Sequence, residues 1–438
     1  MFKRLVLCLD GTWNSADSAE ITNIVRLRDL VDVDAGDGGA GQRVYYHNGV
    51  GTGLSTRDRW MGGATGSGLD HNVRSAYKFL SQNYHDKVEI YIFGFSRGAY
   101  TARTLASYIS ASGLLRPEHC SPDNEARAWQ FYRTPPDDRY PRDFEALAQL
   151  CFKNVRIRLV GVFDTVGALG VPIGMLSTWN RRRFQFHDVA LGTNVDFALH
   201  ALAIDEKRGP FQASVWQYPN HKQFIHVEQV WFPGVHANVG GGYADRGLSD
   251  RTLFWLITRI AKLGIGLKFI PGWDDTLSPA PLGQLYESRT PAYFWSRVRP
   301  MVRVINQEAP SLGRAARFSC LPRHAIPLGE MLDYSALLRW RMSEEKPGAE
   351  VYRPANLETA LDRTFAAENP DPIPIINEDG EPLDWVKNAD HRAILQSVLP
   401  AKYRTACAEV AERLKDEPDT SDFSTSYQRP RIRVSDRR

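Results

Sequence analysis

The sequence predicts an α/β protein, with a mainly parallel sheet and helices on both faces. Three observations carry this. Short, mostly apolar runs recur at 3–9, 43–47, 88–93, 155–163 and 224–231. Segments of helical character lie among them, at 21–32, 69–84, 97–112, 140–152, 188–203 and 249–263. A glycine-flanked serine stands where one of those runs meets one of those helices. Strands apolar on both faces and separated by helices are buried between two helical layers.

The chain opens with Met1-Phe2-Lys3-Arg4 before an apolar stretch from Leu5 to Leu9. That stretch is too short for the central region of a signal peptide and reads as a first, buried strand. No run approaches the roughly 20 apolar residues of a membrane span. The expectation is a protein that is cytoplasmic as synthesised, with export left to a contact-dependent system that needs no signal peptide. Residues 49–70 are glycine-rich, with one tryptophan, and read either as a lid over a site or as a surface connection. Ile90-Tyr91-Ile92-Phe93 and 155–163, the most β-branched run, are central strands. After 265 prolines become frequent, aromatic residues cluster at Tyr293, Phe294 and Trp295, and strand alternation fades. The expected organisation is a catalytic core at 1–264, an irregular, mostly helical cap at 265–415 and a disordered tail at 416–438.

The 438 residues are 43% hydrophobic and 24% charged, with a net charge of +3. Such a balance does not call for nucleic acid, and Arg181-Arg182-Arg183 reads as a solvated loop. Five cysteines, at 8, 120, 151, 320 and 407, include no C-x-x-C pair. A zinc cluster or disulfide frame is not expected, nor is a metal or any other cofactor, and a reducing compartment fits.

Gly94-Phe95-Ser96-Arg97-Gly98 is a full G-x-S-x-G between strand and helix. That context places the serine on a sharp strand-to-helix turn, its hydroxyl held above the sheet. The helix that follows points its N-terminal amides at the site, and the Arg97 N–H would be one oxyanion donor. The plainer reading is a serine that merely caps the helix.

A serine hydroxyl needs a base, and the base needs an orienting acid. On this kind of sheet the chain order is serine, acid, histidine. Asp164 ends the β-branched run and precedes a turn, the plainer reading being a helix cap. Among eleven histidines, His47, His71, His85, His119 and His200 come too early or fall in expected helices. His221 and His226 flank the start of a strand. His236 lies just past a strand and is followed by Gly240-Gly241-Gly242, which lets a loop pass close to another backbone. His391 lies in the cap and reads as structural; His324, also in the cap, is a reserve base.

With these residues in hand, the chain resembles the uncharacterised α/β-hydrolase domain family that includes the type VI secretion phospholipase (lipase) effectors. The matching stretches are LCLDGTWN (7–14), GFSRGAYTAR (94–103), VFDTVGALG (162–170), LHALAIDE (199–206) and WFPGVHANVGGGYAD with GLSD (231–250). The resemblance implies an α/β-hydrolase-like fold, with Ser96 as nucleophile, Asp164 as acid and His236 as base. It also sets the opening strand beside the site, where Gly11 or Thr12 could give the second oxyanion donor. Asp10, as a short carboxylate at a strand-to-loop junction, would hold the Gly11-Thr12 turn by accepting backbone amides. Family members commonly carry an aspartate two residues after the histidine; here that position is Asn238.

The expected function is a serine esterase or lipase acting on acyl esters, glycerophospholipids first, with peripheral membrane contact and a secretion-apparatus or immunity protein as possible partners. A soluble esterase acting on small-molecule or peptide esters needs the same triad. LVLCLDGT also echoes the aspartyl-phosphate enzymes, but their nucleophilic aspartate position holds Cys8. A non-catalytic interaction module would have no need of an intact Ser, Asp and His.

Overall fold

The computed structural model describes residues 3–11, 21–35, 41–49, 66–166, 191–192, 194–216, 225–289, 300–306, 328–348, 350–369 and 371–415. Its centre is one sheet of eight strands, all parallel, in the order β2-β1-β3-β4-β5-β6-β7-β8. The strands are β1 (Arg4–Leu9), β2 (Gln42–His47), β3 (Glu89–Phe95), β4 (Ile157–Phe163), β5 (Val195–Ala203), β6 (His226–Phe232), β7 (Glu330–Asp333) and β8 (Ile375–Ile376).

Alternation within β1 shows why its sequence is apolar throughout. Leu5, Leu7 and Leu9 enter one buried cluster while Val6 and Cys8 enter another, on the opposite face. The first face is covered by α2 (Gly66–Asn83), α3 (Arg97–Ser112), α4 (Pro122–Arg133) and α5 (Pro141–Ala148). The second is covered by α1 (Asn23–Leu30) and α7 (Gly247–Lys262), with the short α6 (His236–Gly240) before it. The chain lays β2 on one side of β1 and then β3 on the other. Such a reversal leaves a crevice between the carboxyl ends of β1 and β3, where open α/β sheets bind their ligands. Here those ends are Asp10-Gly11 and Ser96.

Two segments differ from the sequence reading. Where the sequence suggests a helix at 188–203, residues 195–203 instead form β5, paired on both sides, by β4 and β6. Its alanines and leucines favour a helix locally, yet Ala198, Leu199, Ala201, Leu202 and Ala203 are all buried, and central pairing overrides propensity. The second difference lies beyond residue 264, where a mostly helical segment also adds β7 and β8 to the sheet. At four and two residues they are too short to show a period. Their packing partners are α8 (Tyr334–Glu344), α9 (Ala355–Thr364), α10 (Ala389–Val398) and α11 (Ala401–Leu414), around a third cluster holding Trp231, Leu332, Trp340 and Ile375.

Most of the glycine-rich 49–70 lies outside the described residues, and its last five positions already belong to α2. The segment 416–438, the aromatic trio 293–295, His221 and His324 also lie outside them. Among the described residues, no helix is long and apolar enough to cross a membrane.

Candidate active site

Ser96 follows β3 and opens α3 with φ 58° and ψ −121°. A non-glycine residue in that region costs about 1–3 kcal/mol and persists only where the surroundings fix it. The fixing is visible. Its N–H donates to the Phe163 carbonyl at the end of β4, 3.2 Å away, and its own carbonyl accepts from Tyr100. A side chain on Gly98 would put Cβ 2.0 Å from the Leu9 carbonyl oxygen, and one on Gly94 would put it 2.5 Å from the Gly98 carbonyl oxygen. Both glycines are therefore demanded by the way α3 closes on the strand ends. Although Ser96 occupies the N-cap position, its hydroxyl makes no capping bond, contrary to the helix-cap reading.

Asp164 ends β4 and is likewise strained, with φ 37°. Its backbone N–H donates to the Ala201 carbonyl at 2.7 Å. The carboxylate is fully buried and meets four donors. Oδ1 accepts from the Ala203 N–H at 2.9 Å and from Arg303 Nη1 at 2.6 Å. Oδ2 accepts from Arg303 Nη2 at 3.0 Å and bonds His236 Nδ1 at 2.6 Å. Burial alone would raise the acid's pKa. The Arg303 charge and the His236 bond outweigh it and hold Asp164 well below the usual carboxylate range.

His236 begins α6, just past β6. Its ring lies between Phe95, centroids 4.6 Å apart, and Phe211, edge-on at 5.0 Å. Burial lowers its pKa below the ordinary histidine value, against the opposing pull of Asp164. With Nδ1 committed to Asp164, the imidazole presents Nε2 as its basic nitrogen. The glycines after it act by close approach. A Cβ on Gly240 would enter the Phe95 ring, and one on Gly241 would lie 2.7 Å from the Asn23 backbone nitrogen.

Asp10 is buried at the end of β1. It accepts the Gly11 N–H at 2.6 Å, the Thr22 hydroxyl at 2.8 Å and the Tyr46 hydroxyl at 3.1 Å. Gly11 lies against the serine turn, since a Cβ built on it would be 3.3 Å from Ser96 Cβ. Its own amide is turned to Asp10, and Thr12 lies outside the described residues. Burial lowers the Arg97 pKa to about 10.

Further buried polar residues brace the surroundings of Asp164 and His236. Glu206 accepts the His236 N–H at 3.3 Å and is held by Arg208 and the Ser288 hydroxyl, each 2.9 Å away. Asn23 donates to the Val239 and Ser249 carbonyls and to the Thr252 hydroxyl, pinning α6 to α7. Asn238 acts as a tether, accepting the Val235 N–H and donating to the Gln284 carbonyl at 3.0 Å. His200, expected inside a helix, is buried in β5. Its Nε2 accepts the Thr165 N–H at 3.2 Å, and burial pushes its pKa down to about 3. The sequence signal for Arg303 was faint: one charge inside the apolar run Met301-Val302-Arg303-Val304-Ile305.

A parallel sheet with a strained serine after a central strand, and an Asp–His pair at the ends of later strands, defines a protein of the α/β-hydrolase-like class. Within that class the chain belongs to the Tle1-like phospholipase effector family of type VI secretion, matching its catalytic domain over residues 3–259. It is similar to a Saccharomyces cerevisiae protein described as uncharacterized protein YEL023C, at 28% identity over 233 residues. That match covers 48% of this chain and only 32% of the yeast protein. Among solved structures it is similar to the Tle1 effector bound to the VgrG spike of the type VI secretion system, with a TM-score of 0.32 and 19% identity, covering 55% of this chain and 51% of that one. It is also similar to an uncharacterized protein from Pseudomonas aeruginosa, with a TM-score of 0.37 and 17% identity, covering 94% and 62%.

Proposed function

We propose that the chain is a serine hydrolase that cleaves the carboxylic acyl esters of glycerophospholipids. Ser96 is the nucleophile, His236 the general base and Asp164 the acid that orients it. The observation that carries this reading is the 2.6 Å bond from His236 Nδ1 to a buried, ionised Asp164. That bond fixes the tautomer a serine base needs.

In the proposed reaction Ser96 Oγ attacks the acyl carbonyl carbon and its proton passes to His236 Nε2. The oxyanion is held by the Arg97 N–H and a second donor from the turn after β1, Thr12 being the candidate. Collapse expels the lysolipid alcohol, which takes the proton from Nε2. Water, deprotonated by the same nitrogen, then releases the fatty acid and frees Ser96. Family membership supports a phospholipid as substrate and a type VI secretion apparatus as partner and route of export.

Ser96→Ala should abolish fatty-acid release from phosphatidylcholine vesicles and turnover of a short chromogenic ester. A fluorophosphonate should label the wild-type protein at Ser96 and leave the variant unlabelled. Labelling that persists in Ser96→Ala, at equal rate, would remove the nucleophile from this account. A wild-type protein that hydrolyses the short ester with no rise in rate at the vesicle surface would point to soluble esters instead.

A further inference from the structure

Asp164 is met by more than a histidine. Arg303 comes from a strap at 300–306, beyond the 259 residue limit of the family match. Its guanidinium grips both carboxylate oxygens, and also donates to the Ala203 carbonyl at 2.8 Å and to the Phe211 carbonyl. Phe211 is the ring standing edge-on to His236, so one side chain braces the acid, the end of β5 and the wall of the base.

The strap itself is tied at both ends. The Met301 N–H donates to the Lys207 carbonyl at 2.9 Å. Arg363, on α9, donates to the Ile305 and Asn306 carbonyls, each at 2.6 Å. The Asn306 N–H donates to Glu330 Oε2 at 2.9 Å. A buried arginine placed this firmly against a carboxylate is a strong, directional contact, since the planar fork matches both oxygens at once.

We propose that Arg303 is a positioning residue of the site: it clamps the Asp164 carboxylate so that Oδ2 addresses His236, and sets a fixed positive charge behind the pair. The proposal rests on the reading of Ser96, Asp164 and His236 as a triad. It also makes the C-terminal part of the chain a contributor to the site rather than a bystander. Among the described residues, Asp164, Glu206 and Arg208 act on the imidazole, and Arg303 stands behind it on the Asp164 carboxylate. Of these, the two carboxylates favour the imidazolium and the two guanidinium groups oppose it. Removing Arg303 takes away one opposing charge, so the Asp164–His236 pair should take up its proton at higher pH.

The test follows the rate of fluorophosphonate labelling at Ser96 against pH, with thermal melting as a check on folding. In Arg303→Met the acid limb should move up by about one pH unit, the scale of a lost neighbouring charge. The plateau rate at alkaline pH should fall about tenfold as Asp164 loses its aim. Arg303→Lys keeps the charge but cannot span both oxygens, so its limb should stay near that of the wild type while its plateau falls. An unmoved limb in Arg303→Met, with Ser96 still labelled, would show a purely structural arginine and overturn the proposal. If Arg303→Met does not fold, a wild-type plateau in Arg303→Lys would overturn it equally. A wild-type protein unlabelled at Ser96 defeats the triad reading first, and this proposal with it.

Discussion

Asp10 and Asp164 end parallel strands two places apart in the sheet, and both carboxylates are buried. Their ionisation nevertheless runs in opposite directions. Burial raises the Asp10 pKa to about 6, opposed only by bonds from Thr22, the Gly11 amide and Tyr46 and by a weaker pull from Arg28. Asp164 is held far below the usual range because Arg303 and His236 face it. The difference lies in the charge of the donors rather than in burial or in the presence of hydrogen bonds. Neutral donors satisfy a carboxylate without repaying its desolvation, whereas a buried cation stabilises the ionised form directly. One strand end therefore shapes a turn, and the other holds a buried negative charge against His236.

The sharpest way to break this contrast is to neutralise Asp164 and, separately, to remove the histidine it faces. Asp164→Asn should lower turnover by on the order of 10⁴, as loss of the orienting carboxylate does in other triads. His236→Ala should cost at least as much, because triad members act as a unit. Both are read from steady-state hydrolysis of a short ester, with melting curves to confirm folding. An Asp164→Asn protein within tenfold of wild-type turnover would end the claim that this carboxylate serves the chemistry.

The contrast was only half legible in the sequence. Ser96 was readable because glycine is demanded at both flanks of its turn. Asp164 and His236 were readable because each ends or follows a strongly apolar strand. Asp10 ends an apolar strand and its amide partner, Gly11, is local, so its place is legible in the sequence. Arg303 lies 139 residues from Asp164 in the chain, and only the tertiary fold brings the two together. The same holds for Asn23, whose three acceptors are on segments more than 200 residues away. β5 reads as a helix for a related reason: its alanines and leucines carry a helical preference that only its two neighbouring strands overrule.

A second prediction uses pH and follows from the direction of each shift. The folded-state pKa of His236 is lowered by burial, so the imidazole remains a neutral base below the ordinary value of 6.5. The acid limb of kcat/KM should accordingly lie below pH 6.5. Stability should obey the same sign. The unfolded chain takes up a proton at this residue more readily than the folded one, so the contribution of His236 is lost as pH falls below 6.5. Asp164, lowered in the fold, adds a further loss only as pH falls below 3.8. An acid limb above pH 7 would contradict the buried, neutral base.

The smallest effect is expected at Asp10. Asparagine keeps the size of the side chain and one acceptor oxygen, and the Thr22 and Tyr46 hydroxyls can turn to accept from its amide. The Gly11 turn should hold, so Asp10→Asn should change turnover by less than about tenfold. Stability should respond more clearly than activity. A carboxyl raised to about 6 in the fold binds its proton more tightly there than in the unfolded chain. Its contribution therefore favours folding at low pH and is lost as pH rises through about 6. Asparagine has no such proton to lose. The gap in melting temperature between pH 5 and pH 8 should shift in favour of pH 8 in the variant. Hydrolysis should also survive EDTA in both proteins, because a serine triad with amide donors requires no metal for bond making. An aspartyl-phosphate enzyme would behave in reverse, silenced by Asp10→Asn and by loss of Mg²⁺. Were Asp10→Asn to lose activity as completely as Asp164→Asn while still folded, the two strand ends would share the chemistry, and the division of labour drawn from their donors would fail.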